Sequence, residues 1–187
     1  HDTCRRQRQM CIRDSSYMNA LDGQWGVIDV ADCVAAARFL VAADQVDVNR
    51  IAIKGGSAGG LTVLAALSGY DDFSAGSCRY GVADLEILAN DTHKFESRYL
   101  DRLIGPYPED REVYVARSPI HQTENFQNPM IILQGSEDAV VPPNQSELIV
   151  QALKTKGIRH SYLLFEGEGH GFRKSENIIK ALESEYS

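Results

Sequence analysis

Between residues 27 and 43 the apolar run is broken only by Asp29, Asp32 and Arg38. Its polar positions fall on a narrow stripe, the pattern of a largely buried helix. A turn over residues 44–49 leads into Arg50-Ile51-Ala52-Ile53-Lys54, a short β-rich run. Gly55-Gly56-Ser57-Ala58-Gly59-Gly60 follows, and residues 61–67 then read as helix. Residues 73–80 are the next predicted strand. The stretch from 84 to 128 is longer, polar and aromatic, with a helix predicted at 94–103 and a stop at Gly105-Pro106. Pro129 introduces Met130-Ile131-Ile132-Leu133-Gln134, a run of the kind buried on both faces of a parallel sheet. Asn144 and Glu147 have the spacing of a capping box ahead of a helix at 146–156, which Gly157 closes. A strand at 161–165 and an amphipathic helix at 176–185 complete the pattern. Strands alternating with helices predict an α/β fold with a mostly parallel sheet flanked by helices. No internal repeat or dividing linker interrupts it.

The 187 residues suit a single domain, with 43% apolar and 24% charged residues as in ordinary globular chains. Charges inside the longest apolar run exclude a membrane span there. The balance of 19 Lys+Arg against 26 Asp+Glu, net −7, argues against a nucleic-acid partner. Residues 1–14 reverse that balance, with four arginines against Asp2 and Asp14. No apolar segment or cleavage site follows them, and the first residue is His1. Residues 1–16 are therefore read as a head foreign to the native protein, and residues 17–187 as the domain. Of the four cysteines, Cys4 and Cys11 lie in the head. Cys33 is assigned to the apolar face of the first helix and Cys78 to a strand, both as buried free thiols. Free cysteines and the lack of a signal-peptide pattern lean towards the cytoplasm, although localisation is left unknown. No CxxC, HExxH, EF-hand or GxxxxGK[ST] spacing occurs, so no metal or cofactor is expected.

Gly55-Gly56-Ser57-Ala58-Gly59 has the form G-x-S-x-G between a predicted strand and a predicted helix. That context makes a nucleophile elbow, whose tight turn projects a serine hydroxyl above the sheet at a helix N-terminus. A hydroxyl at neutral pH needs a base to accept its proton, and the base needs an acid to orient it. In such a fold the chain order is Ser, then Asp or Glu, then His. Gln134-Gly135-Ser136-Glu137-Asp138 follows one later strand, and Glu166-Gly167-Glu168-Gly169-His170-Gly171 follows the next. Three required residue types thus fall at successive strand ends in the required order. Either Glu137 or Asp138 suits the acid. His1, His93, His121 and His160 follow no strand at its carboxyl end and are given structural or surface roles.

These strings resemble the catalytic domain of the prolyl oligopeptidase family of serine peptidases, in its acylaminoacyl-peptidase or dipeptidyl-peptidase-like branch. Gly23-Gln24-Trp25-Gly26, Asp91-Thr92-His93-Lys94-Phe95-Glu96-Ser97, Val141-Pro142-Pro143-Asn144-Gln145 and Phe165 to Phe172 support the resemblance, which runs from about Tyr17 to the C-terminus. It implies an α/β-hydrolase fold with Ser57 as nucleophile, Asp138 as orienting acid and His170 as general base. It also implies the backbone N–H of Ala58 as an oxyanion donor, and Val141 as a residue lining the substrate pocket. The family's tyrosine-bearing Asn-Tyr-Arg-Gly-Ser-like segment, source of a second oxyanion donor, has no counterpart in residues 8–15, and Tyr17 lies too close to Trp25 to replace it. The family's first sheet strands and its β-propeller are likewise not found, so the chain is expected to be the C-terminal catalytic part of a larger enzyme. Short peptides are the implied substrates. An esterase on the same triad and a truncated, inactive fragment are the alternatives, and a binding scaffold has only the 84–128 stretch in its favour.

Overall fold

In the computed structural model the described residues are 19–91 and 99–186. Helix α1 (Ile28–Ala42) leads to a 3-10 turn at Val48–Arg50, entered through the Asp47 carboxylate, which accepts the Asn49 N–H. Strand β1 (Ala52–Gly56), helix α2 (Ala58–Gly69) and strand β2 (Ala75–Arg79) follow. The long middle stretch forms helices α3 (Leu85–Asp91), α4 (Tyr99–Leu103) and α5 (Arg111–Arg117), then a 3-10 segment at Pro119–Asn125. Strand β3 (Met130–Gly135), helix α6 (Pro143–Lys156), strand β4 (His160–Phe165) and helix α7 (Ser175–Tyr186) complete the order.

The four strands lie in sequence order, β1-β2-β3-β4, and every neighbouring pair is parallel. Ile53 lies beside Gly76, Gly76 beside Met130, and Met130 beside His160. Parallel strands laid down in one direction by right-handed crossovers place their connecting helices on one face. The main core has that composition. It joins Ile53, Cys78 and Ile132 of the sheet to Val30 and Val34 of α1, Val63, Leu64 and Leu67 of α2, and Ile149 and Leu153 of α6. Helix α7 covers the opposite face through Ala181 against Leu133 and Phe165. A third cluster of Trp25, Leu61, Val82, Leu85, Leu100, Ile104, Tyr114 and Val141 gives the middle stretch a core of its own. Parallel pairing also brings all four carboxyl ends to one edge, where ligands bind in open α/β sheets.

Several sequence expectations are corrected. Only Val30, Val34 and Ala37 of α1 are buried, while Phe39 is 69% exposed. Cys33 is exposed, not buried, because one residue's rotation from Val34 carries it off the sheet-facing stripe. The Asp29 carboxylate, on the polar stripe of α1, accepts from Gly26 N–H and from the Thr62 hydroxyl of α2. The capping box at Asn144 does not form. Pro143 opens α6 instead, Pro142 is the cap, and no side chain caps it. A proline at the first turn has no N–H to satisfy and its φ is preset, so the helix starts earlier. Strand β1 starts two residues later than expected, since residues 48–50 take the 3-10 turn. The helix expected at 94–103 is helical over Tyr99–Leu103, and its residues 94–98 lie outside the described residues. The head, with His1, Cys4, Cys11 and Tyr17, and His93 also lie outside them. Gly157 closes α6 as expected, and Cys78 is buried in β2.

Candidate active site

Ser57 sits between β1 and α2 with φ 55° and ψ −121°. A non-glycine residue holds such a conformation at a cost of about 1–3 kcal/mol, and only where its surroundings fix it. Three contacts do so. The Ser57 N–H donates to the carbonyl of Arg79 at the end of β2, while the Ser57 carbonyl accepts from Gly60 and Leu61 as α2 begins. A Cβ on Gly55 would collide with the Gly59 carbonyl, so only glycine lets the strand and helix approach this closely. The turn leaves the Ser57 hydroxyl half-buried and the Ala58 N–H in the first turn of α2, where helix N–H groups have no partner within the helix.

The second strand end is β3. Gly135 turns the chain against the backbone of Glu168 and Gly169, a place where any Cβ would collide. The turn buries Asp138 and leaves Glu137 at the surface, so of the two acids it is Asp138 that lies against His170. One carboxylate oxygen of Asp138 accepts the N–H groups of Val140 and Val141 at 2.9 Å each. The other lies 2.8 Å from His170 Nδ1, with the Gln134 amide at 3.4 Å. Burial pushes the Asp138 carboxyl up, but the hydrogen bonds from His170, Val141 and Val140 together hold it below its ordinary value. Asp138 is therefore a buried anion.

His170 follows β4, and its Nε2 lies 2.8 Å from Ser57 Oγ. An ionised carboxylate can only accept, so Nδ1 carries the proton and Nε2 presents a lone pair to the serine O–H. The structure thus brings Ser57, His170 and Asp138 into one hydrogen-bonded chain. Val141 also reaches the site, through its N–H on Asp138, with its side chain 1% exposed in the cluster of Trp25, Leu61 and Leu85.

Other histidines stand apart. The His160 Nδ1 is engaged with the Ile158 carbonyl at 2.7 Å. His121 is exposed beside Asp84 and Glu86, within reach for a shared ion. Both carboxylates already have structural work there: Asp84 accepts N–H groups at the start of α3, and Glu86 pairs with Arg111 at 2.6 Å.

Sequence reasoning missed Tyr80. It takes φ 38° just past β2 and lays its ring against His170, with 4.8 Å between centroids and a 59° tilt. Its other neighbour is Phe172, edge-on at 5.4 Å. Its place one residue past a strand, at the edge that holds the other site residues, was the available signal.

A profile of the prolyl oligopeptidase family matches residues 12–187. Among solved structures, a puromycin-hydrolyzing peptidase of Mycobacterium tuberculosis superposes with a TM-score of 0.88 at 47% identity, over 90% of this chain and 26% of that one. Among curated proteins, dipeptidyl aminopeptidase BIII of Pseudoxanthomonas mexicana is 29% identical over 86% of this chain and 24% of its own length. Esterase LipC of Mycobacterium tuberculosis is 31% identical over 78% of this chain and 40% of its own. The chain therefore spans about a quarter of the length of the peptidases it matches. The parallel sheet, its flanking helices and the sharp turn at Ser57 are those of an α/β-hydrolase domain. With the serine turn, the acid loop and the histidine loop all inside the matched span, the chain belongs to the prolyl oligopeptidase family.

Proposed function

We propose that the protein containing this chain is a serine peptidase that hydrolyses short peptides through an acyl-enzyme. The observation that carries the reading is the unbroken chain Ser57 Oγ to His170 Nε2 and His170 Nδ1 to Asp138 Oδ2, each at 2.8 Å. Ser57 attacks the peptide carbonyl while His170 takes the hydroxyl proton. The imidazolium so formed is stabilised by the buried Asp138 anion, and it then protonates the leaving amine. Water, activated by the same imidazole, releases the acyl group. The Ala58 N–H donates to the oxyanion as the tetrahedral intermediate forms.

The resemblance implies a second oxyanion donor, the tyrosine of a segment ahead of Gln24-Trp25-Gly26. Loss of one such donor costs about 10²–10³ in kcat, so a form of the protein without that tyrosine is expected to be a weak catalyst. In the complete protein a β-propeller domain would admit short peptides and exclude folded ones. Val141, which the resemblance implies as a pocket-lining residue, has its side chain buried in the cluster of Trp25, Leu61 and Leu85, so it can only back the pocket and presents no surface of its own to a substrate in this chain. The reading extends to this chain what the names of its relatives say of them, a puromycin-hydrolyzing peptidase and a dipeptidyl aminopeptidase.

A fluorophosphonate probe tests the nucleophile: covalent labelling at Ser57, abolished by Ser57→Ala, is expected. The similarity to an esterase favours a second reading, ester hydrolysis on the same triad. Aminoacyl-amide and simple ester substrates separate the two, and ester turnover without amide turnover in the complete protein would sink the peptidase reading.

A further inference from the structure

His170 lies between Gly169 and Gly171, and Gly171 takes φ 89°. Glycines on both sides give the loop more backbone freedom than any other residue would, and ordering it costs correspondingly more entropy. An imidazole so mounted needs something beyond its two partners to define its position. Glu168 is placed to supply that. It is 2% exposed, and both of its carboxylate oxygens are occupied from beyond the histidine. Oε2 accepts the Arg173 N–H at 2.9 Å, while Oε1 accepts the Lys174 N–H at 2.9 Å and the Asn177 side-chain amide at 2.8 Å. These bonds close residues 168–174 into a ring with His170 at its crown, and they anchor the ring on the first turn of α7.

The main chain of Glu168 faces the other way. Its carbonyl accepts the N–H of Glu137, the residue before Asp138, at 2.9 Å. Gly135 packs against that carbonyl without room for a side chain. A further bond, from Gly167 N–H to the Ser136 hydroxyl at 2.9 Å, ties the same two loops. One residue therefore touches the acid loop through its backbone and the far end of the histidine loop through its carboxylate. Hydrogen bonds from Asn177 and from the Arg173 and Lys174 N–H groups hold that carboxyl below its ordinary range, so it acts as an anion with three donors.

From this arrangement we infer that Glu168 is a positioning residue: its carboxylate clamp holds the imidazole of His170 in register between Ser57 and Asp138. The inference rests on the serine-hydrolase reading of the site. Glu168 touches no reacting atom, and its effect passes through the geometry of His170. Displacing a catalytic group by about 1 Å from a distance costs on the order of 10²-fold in rate.

The test compares the complete wild-type protein with Glu168→Gln and Asn177→Ala. Glu168→Gln keeps the side-chain shape but turns an NH2 towards N–H donors. Asn177→Ala leaves the carboxylate intact and removes one of its three partners. The measurements are Ser57 labelling by a fluorophosphonate, kcat and KM on an aminoacyl amide, Tm, and the low-field proton resonance of the His170 Nδ1–H. Glu168→Gln is expected to lower kcat about tenfold to a hundredfold with KM little changed, and to broaden or abolish the low-field resonance. Asn177→Ala is expected to act in the same direction by a few-fold. A fall in Tm with kcat and the resonance unchanged in both variants would overturn the inference and leave Glu168 as a helix cap. If Glu168→Gln does not fold, Asn177→Ala decides by the same readouts. Absence of Ser57 labelling in the wild-type protein would instead overturn the hydrolase reading, and this inference with it.

Discussion

The ring of Tyr80 rests on the imidazole of His170, 4.8 Å between centroids, and its own backbone is held at φ 38°. An aromatic face beside an imidazole limits its rotation and favours the imidazolium that forms during turnover. Removing the ring by Tyr80→Leu is expected to lower kcat by about two- to fivefold, the size of a cation–π contact of roughly 0.5–1 kcal/mol. Tyr80→Phe keeps the face and is expected to stay near wild type. Steady-state rates on one amide substrate decide it, and equal rates for the leucine and phenylalanine variants would remove any role for the ring.

Asp138 accepts from His170 Nδ1 and from two backbone N–H groups. Asp138→Asn keeps the shape but offers an amide N–H where a carboxylate stood, which favours the wrong imidazole tautomer. The expected loss is about 10⁴-fold in kcat, as for triads of this kind. Retention of the fold is checked by circular dichroism, and a variant within tenfold of wild type would show that the carboxylate is dispensable.

The Ser57 conformation predicts opposite effects on stability and activity. At φ 55° an L side chain is strained and glycine is not. Ser57→Gly is therefore expected to be more stable than Ser57→Ala by about 1 kcal/mol, although both are inactive. Urea unfolding of the two variants makes the comparison, and equal midpoints would mean the turn stores no strain.

Glu185 near the end of α7 binds Arg79 through two hydrogen bonds, and also Ser77 and Lys54, joining the last helix to β1 and β2. Burial raises its pKa, but Arg79, Lys54 and Ser77 outweigh burial and bring it down to about 2 from 4.5. A depressed carboxyl stabilises the fold above its unfolded pKa, and that contribution drains away as pH falls from about 4.5 towards 2. After solvent screening it is worth on the order of 1–2 kcal/mol at neutral pH. Glu185→Gln is expected to lower Tm at pH 7 and to have a much smaller effect near pH 2. An equal Tm deficit at both values would place the effect in packing instead of charge.

Local chemistry decided much of this protein within the sequence itself. Four strands and helices α1, α2, α6 and α7 follow from apolar periodicity, whereas α3 and α5 lie in a polar stretch whose pattern did not reveal them. The glycines around Ser57 specify a sharp strand-to-helix turn because only they allow so close an approach. Parallel pairing then makes the strand ends a common edge, so the residue types after β1, β3 and β4 could be read as one site before any distance was known. What depends on direction in space could not be read this way. Asp138 and Glu137 are neighbours of like chemistry, and only the turn against Glu168 buries one and exposes the other. Cys33 follows the same apolar pattern as Val34, yet packing uses one stripe of α1 and leaves the cysteine outside it. Tyr80 and Glu168 carry no motif, because their importance lies in contacts with residues far along the chain or across a loop. The sequence determined which groups the protein holds and in what order; tertiary packing decided which of them meet, since burial and hydrogen-bond geometry are set by neighbours that periodicity does not name.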